Sequence, residues 1–217
     1  MIISLLAFDI EKFRKDIMKN NNNKTGLFFG SFNPIHNGHL MIANYLVEYT
    51  DLKQIIFVVS PRNPLKEKEL LAEDRHRLRM VELAIQDDRR FSASDIEFHL
   101  PTPSYTVHTL EYLRQIYPQE RFVLVIGGDN LQYFDRWKDP ELILEKHEIY
   151  VYCRLGFEGG KFANHTSVKI IASPLIDISS SMIRQAYAQG KDLRYFQLMT
   201  VYEYIRIFNI YSINSGE

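Results

Sequence analysis

Short apolar runs alternate with helical patterns along almost the whole chain, and this alternation restricts the fold more than any other feature. Leu27–Phe29, Gln54–Ser60, Phe91–Phe98, Phe122–Ile126, Glu148–Cys153 and Val168–Ala172 read as strands. Between them lie helical segments. Leu40, Ala43 and Val47 share one face, as do Leu78, Val81 and Ile85 within Glu73–Gln86. Val107, Leu110, Leu113 and Tyr117 do the same within Ser104–Tyr117. Pro140–Lys146, Ser179–Gln189 closed by Gly190, and Leu198–Phe208 complete the set. The pattern predicts an α/β fold of Rossmann-like form, an open, mostly parallel sheet with helices on both faces. Ligands of such sheets gather beyond the carboxyl ends of the strands. The polar turns Gly30–His39, Pro61–Lys66 and Gly127–Asn130, and Arg154, each follow a strand end. The fold would bring them to one crevice.

The chain has 217 residues, 46% of them hydrophobic, enough for one globular domain with a real core. Residues 1–17 read as an additional amphipathic helix, joined by the polar stretch Lys19–Lys24 to a single domain over 24–217. Met18 is then a candidate natural start. The apolar opening MIISLLAF is short and has no basic leader, so it does not read as a signal peptide. No apolar run approaches the ~20 residues that span a bilayer. A net charge of −1 without a dense Lys/Arg run points away from nucleic acid and membrane surfaces. One cysteine, Cys153, excludes an internal disulfide and fits a cytoplasmic protein. At the end of an apolar strand it reads as a small core residue rather than a nucleophile.

Chemistry concentrates in Thr25–Leu40, TGLFFGSFNPIHNGHL. An apolar run stops at Gly30, a tight polar turn follows with Ser31, Asn33 and Pro34, and His36, Gly38 and His39 open a helix. Unpaired N–H groups and the helix dipole make such a start a phosphate site. Histidines at i and i+3 can turn both rings to one anion. A surface pair or half of a metal site would look the same. Lys66 projects from a loop restricted by Pro61 and Pro64. Ser104 or Thr106 can cap the next helix, whose first-turn N–H groups around Thr106 and Val107 can also hold a carboxylate. Gly127 permits close approach to the backbone, and Asp129 can accept bonds from a ribose. Trp137, the single tryptophan, is either packing or a platform for a flat ring. Ser179, Ser180 and Ser181 open a helix with Arg184 one turn in, a set suited to phosphate and equally to an ordinary cap. The Gly156–Gly160 loop lacks the Gly-Lys-Ser/Thr ending of a phosphate loop and reads as a plain loop.

GSFNPIHNGH resembles the HxGH signature of the nucleotidylyltransferase superfamily. With NPLK, AEDRHRLRMVELAI, SYTVHTL, GGDNLQYFDRW, YCR and ISSSMIR following in order over about residues 25–210, the chain is similar to bacterial nicotinate-nucleotide adenylyltransferases. SYTVHTL and GGDNLQYFDRW separate that family from its superfamily neighbours. The resemblance implies that Gly30 and Ser31 line the ATP phosphate turn. It implies that His36 and His39 contact the triphosphate and stabilise charge on the α-phosphate. It gives Ser179, Ser181 and Arg184 the β- and γ-phosphates, and Gly127 and Asp129 the nucleotide ribose. Thr106 and Val107 would recognise the nicotinate carboxylate, Trp137 would stack on the pyridine, and Lys66 and Arg154 would contact the phosphate of nicotinate mononucleotide. The chain departs from the family at Leu65, where a histidine is common, and at Ser181, which replaces a commoner threonine but keeps the hydroxyl.

The implied reaction is in-line attack of the nicotinate mononucleotide phosphate on the α-phosphorus of ATP, with loss of pyrophosphate. It needs no strong base, because the attacking phosphate is already an anion. Mg²⁺ would enter on ATP oxygens rather than on a protein cluster. Equal use of nicotinamide mononucleotide, transfer to another phosphate ester, and a nucleotide-sensing protein of the same fold are the competing expectations. The intact His pair and Arg184 weigh against the last.

Overall fold

The computed structural model describes residues 24–61, 71–156 and 159–211. The expected amphipathic helix at 1–17, the Met18 start, the division at residue 23 and the Lys66 loop lie outside them. The described residues build one six-stranded sheet of β1 (Lys24–Gly30), β2 (Leu52–Val59), β3 (Phe91–Ser94), β4 (Arg121–Gly127), β5 (Glu148–Tyr152) and β6 (Val168–Ile171). The order is β3-β2-β1-β4-β5-β6, and every pairing is parallel.

The strands are apolar on both sides because both sides are covered. Side chains alternate between two cores. Phe28, Ile55, Phe57, Val59, Val123, Val125, Tyr150 and Tyr152 face one, and Leu27, Ile56, Val58, Leu124, Ile126, Ile149 and Val151 the other. The first core is closed by α1 (Asn37–Tyr49), α2 (Asp74–Ile85) and, at the end of the chain, Met199–Ile207, through Ile42, Leu46, Met80, Val81, Val201 and Ile205. The second is closed by α3 (Thr106–Ile116) and by Pro140–Lys146, through Val107, Leu110, Leu113, Ile143 and Leu144. The intervening short helix Gly128–Gln132 is α4, Pro140–Lys146 is α5, Ser180–Ala188 is α6 and Met199–Ile207 is α7.

Three details differ from the sequence reading. The apolar stretch Phe91–Phe98 is not one strand. β3 ends at Ser94, whose hydroxyl accepts the Ile96 N–H (3.2 Å), and Ile96–His99 coils into a 3-10 turn that carries the chain across the sheet toward β4. α3 is capped by neither Ser104 nor Thr106; its N-cap is Tyr105, which gives no side-chain bond. Cys153 is only half-buried, its thiol directed at the Ile171 carbonyl (3.3 Å), so it borders a cleft rather than filling a core. The end of α6 is as expected. Gly190 takes a left-handed φ of 67°, its N–H bonds to the Tyr187 carbonyl at 3.0 Å, and the Lys191 N–H bonds to the Ala186 carbonyl at 2.9 Å.

Candidate active site

Parallel order places the carboxyl end of every strand on one edge, and the order reverses between β1 and β4. α1 covers one face and α3 the other, so a crevice opens between their starts. The turn from β1 to α1 forms its floor. Gly30 is not the residue that bends left-handed there. Phe32 is, with φ of 43° and 2% exposure. Its ring is fixed edge-on by Phe28, Phe57 and His39 at centroid distances of 5.8, 5.5 and 5.1 Å. Gly30 makes room for that ring, because a Cβ there would lie 3.0 Å from it.

His36 is the N-cap of α1 and His39 stands one turn in. Their rings stack at 3.7 Å with an interplanar angle of 25°. His39 Nδ1 accepts the His36 backbone N–H (3.3 Å), which leaves the neutral ring's proton on Nε2. His36 is 3% exposed, and its Nδ1 has no hydrogen-bond partner among the described residues. Burial, reinforced by the nearby Arg154 charge, pushes its pKa down to about 3, so the ring is neutral at physiological pH. Gly38 is required between them. A Cβ would approach His36 Nδ1 to 3.0 Å and Ile176 Cγ2 to 3.2 Å.

A cleft opens beside this pair, lined by Phe28, His36, His39, Tyr152, Cys153 and Arg154, with Ile176 and Ile178 at its wall. Arg154 is held over the Tyr152 ring (5.4 Å) with Nε 3.9 Å from an Asp129 carboxylate oxygen. Burial lowers the guanidinium pKa, but the charges of Tyr152, Asp129 and Asp177 outweigh it and the net direction is upward. Gly127 closes the back. A Cβ on it would overlap the Asp129 carboxylate at 2.4 Å and press on Tyr152 at 3.1 Å.

α6 joins the same rim. Ser179 is its N-cap and accepts the Met182 N–H (3.2 Å), while the Ser180 hydroxyl donates to the Pro34 carbonyl (2.9 Å). Arg184 donates to the Asn33 carbonyl (2.8 Å) and to the Ser181 hydroxyl (3.2 Å). The sequence-predicted Ser181 and Arg184 are therefore together, against the turn that leads to His36. Thr106, Val107 and Trp137 are carried by the same sheet edge but belong to the opposite face. Val107 is buried in the second core, and Trp137 is half-buried against Phe134 at 5.0 Å. Among the described residues no ring or hydrogen-bond contact joins them to the His pair. Tyr152, which forms much of the cleft wall, and Arg77, buried beneath the turn, were not singled out by the sequence reading. An arginine at a core-facing helical position was the available signal for the second.

The cytidylyltransferase-like family model matches residues 27–186. A protein of Bacteroides thetaiotaomicron named "Probable nicotinate-nucleotide adenylyltransferase" is 50% identical over 198 residues, 91% of this chain and 98% of its own. One of Flavobacterium johnsoniae with the same name is 47% identical, over 87% and 98% of the two chains. The fold is that of the Plasmodium falciparum nicotinic acid mononucleotide adenylyltransferase solved with NaAD, at a TM-score of 0.75 and 21% identity, covering 90% of this chain and all of that one. Identity near one half, over nearly the full length of these relatives, places the chain in the nicotinate-nucleotide adenylyltransferase family of nucleotidyltransferases.

Proposed function

We propose that this chain transfers the adenylyl group of ATP to nicotinate mononucleotide, forming deamido-NAD and pyrophosphate. The observation that carries this is a stacked His pair at a helix start, with the Arg154 guanidinium lining the cleft beside it and the Arg184 guanidinium bonded to the turn that leads to it. That arrangement suits a polyphosphate: fixed N–H donors where negative charge develops, and cations on either side of it. The name shared by the relatives and the NaAD of the Plasmodium complex support the choice of acceptor.

In this reading Gly30 and Ser31 shape the phosphate turn. His36, as a neutral imidazole, and His39 donate to the α-phosphate, and Ser179, Ser181 and Arg184 take the β- and γ-phosphates. Gly127 and Asp129 receive the ribose, and Arg154 faces phosphate from the β5 side. The first-turn N–H groups of Thr106 and Val107 hold the nicotinate carboxylate, with the Val107 side chain serving only the core, and Trp137 covers the pyridine. Lys66 keeps its assignment as a phosphate contact from sequence alone. Nicotinate and nicotinamide differ by a carboxylate against a carboxamide, and main-chain donors favour the carboxylate because the amide NH₂ has nothing to accept its protons. Among the described residues no group of three His, Cys, Asp or Glu could hold a metal ion. This donor set fits Mg²⁺ bound through the phosphates of ATP and water. The ion would neutralise phosphate charge, while the chain orients the chains of phosphates and excludes water. Among the described residues no helix is long and apolar enough to cross a membrane.

Pyrophosphate release with ATP and Mg²⁺ tests the reading, with nicotinate mononucleotide, nicotinamide mononucleotide and phosphopantetheine run in parallel. Fast release with the first alone is expected. Equal release with the amide would remove the carboxylate role of Thr106. No release with any acceptor, in protein that still binds ATP, would replace the enzyme by a nucleotide sensor.

A further inference from the structure

Arg77, in the first turn of α2, has a side chain with no solvent exposure. Its guanidinium has five N–H donors, and all five are engaged. Nε donates to the Ala72 carbonyl (3.0 Å), Nη1 to the carbonyls of Ser31 and Ser60 (2.7 Å each), and Nη2 to the Pro61 carbonyl (3.3 Å) and the Asp74 carboxylate. Four of the five acceptors are main-chain carbonyls of residues that leave β1 and β2 or return to α2. The last ladder bond between those strands runs from the Ser60 N–H to the Gly30 carbonyl (2.9 Å). Past that point the guanidinium takes the place of the ladder.

The consequence for the site is geometric. A trans peptide is planar with its C=O and N–H opposed, so holding the Ser31 carbonyl also fixes the direction of the Phe32 N–H. Phe32 is the left-handed residue of the turn, and His36 follows four residues later. Packing alone does not call for a cation here. Met80, Val81 and Ala84, on the same face of α2, are all apolar, and a desolvated charge is costly unless its bonds are needed. Lysine could not substitute, having three donors at one point in place of a planar fork.

We infer that Arg77 is a positioning residue for adenylyl transfer, locking the turn that carries His36 and His39 to the ends of β1 and β2. The inference rests on the reading of that turn as the ATP phosphate site. It touches no substrate. Its effect is on where the histidines stand when the phosphate arrives.

The test is steady-state turnover of Arg77→Lys, per folded molecule and well below its melting temperature. We expect kcat to fall on the order of 10²-fold, as misplacement of a catalytic group by about an ångström does. KM for nicotinate mononucleotide should stay within about twofold, because α3 and Trp137, which carry the pyridine end, pack on the other face. In Arg77→Ala, millimolar guanidinium should restore part of the lost kcat while equal urea does not. Wild-type kcat per folded Arg77→Lys molecule would overturn the inference. So would an Asp74→Ala protein with unchanged turnover if Arg77→Lys does not fold, since Asp74 is half exposed and its loss frees one N–H of Nη2 and loosens the fork. His39→Ala separates the two readings. An inactive His39→Ala beside a fully active Arg77→Lys sinks the positioning role alone, whereas an active His39→Ala sinks the phosphate-turn assignment.

Discussion

A buried neutral histidine makes stability depend on pH in a way that can be isolated. His36 has an unfolded pKa near 6.5 and a folded one of about 3. Above the unfolded value neither state binds the proton, and the group contributes nothing. As pH falls below it, the unfolded chain takes up a proton that the folded chain refuses, and stability is lost until the folded pKa is reached. Between pH 7.5 and 5.5 this term amounts to about 1.4 kcal/mol, nearly the full 1.36 kcal/mol per unit over the one unit below 6.5. The perturbation is His36→Gln, which keeps a polar side chain in the same place and cannot titrate. Urea unfolding of both proteins at the two pH values gives four free energies. Other groups, including His147, whose pKa burial also lowers, contribute equally to both proteins and cancel in the difference of differences. The wild type should lose about 1.4 kcal/mol more than the variant on acidification. Identical pH slopes would refute the claim that His36 is buried uncharged, and with it the assignment of the ring as a neutral donor to phosphate.

Other outcomes follow from single contacts. His39→Ala should lower turnover by roughly 10²–10³, the usual loss for a preorganised donor, with circular dichroism unchanged. Gly38→Ala should leave the secondary structure intact but push the His36 ring off its position, measured as lost pyrophosphate release; unchanged turnover would show that the ring has space the 3.0 Å approach denies. Leu124→Ala, at a fully buried position in the middle of β4, should cost about 2–5 kcal/mol in urea unfolding. Thr109→Val removes the hydroxyl that donates to the buried Glu97 carboxyl at 2.8 Å, and unfolding should register about 1–3 kcal/mol.

The strands were legible because a parallel sheet covered on both sides turns into continuous apolar runs. Ile55–Val59 shows this directly, with alternate residues in alternate cores. Phe91–Phe98 misled for the same reason. Ile96 and Phe98 are apolar to pack the crossover and do not extend the strand. The placement of candidate site residues was legible where a short motif holds them, as with His36, Gly38 and His39 at the start of α1. It was not where long-range main-chain contacts decide. Arg77 binds four carbonyls from three segments, and a carbonyl carries no side-chain signature. The left-handed turn residue is Phe32, which composition would never nominate. The neutrality of His36 comes from enclosure by its neighbours, which no spacing of letters expresses.

The sheet keeps its two cores apart, and this has an evolutionary consequence. The helix that carries the histidines closes one core, and α3 and Trp137 pack on the other, with the strands as a shared wall. Changes to α3 or around Trp137 can remodel the acceptor half without repacking the helices behind the histidines. Substitutions in the two halves that share no partner should therefore combine with nearly additive effects on folding. A lineage could then exchange one acceptor for another while inheriting the phosphate-handling half intact, which makes modularity a property of the layer arrangement itself.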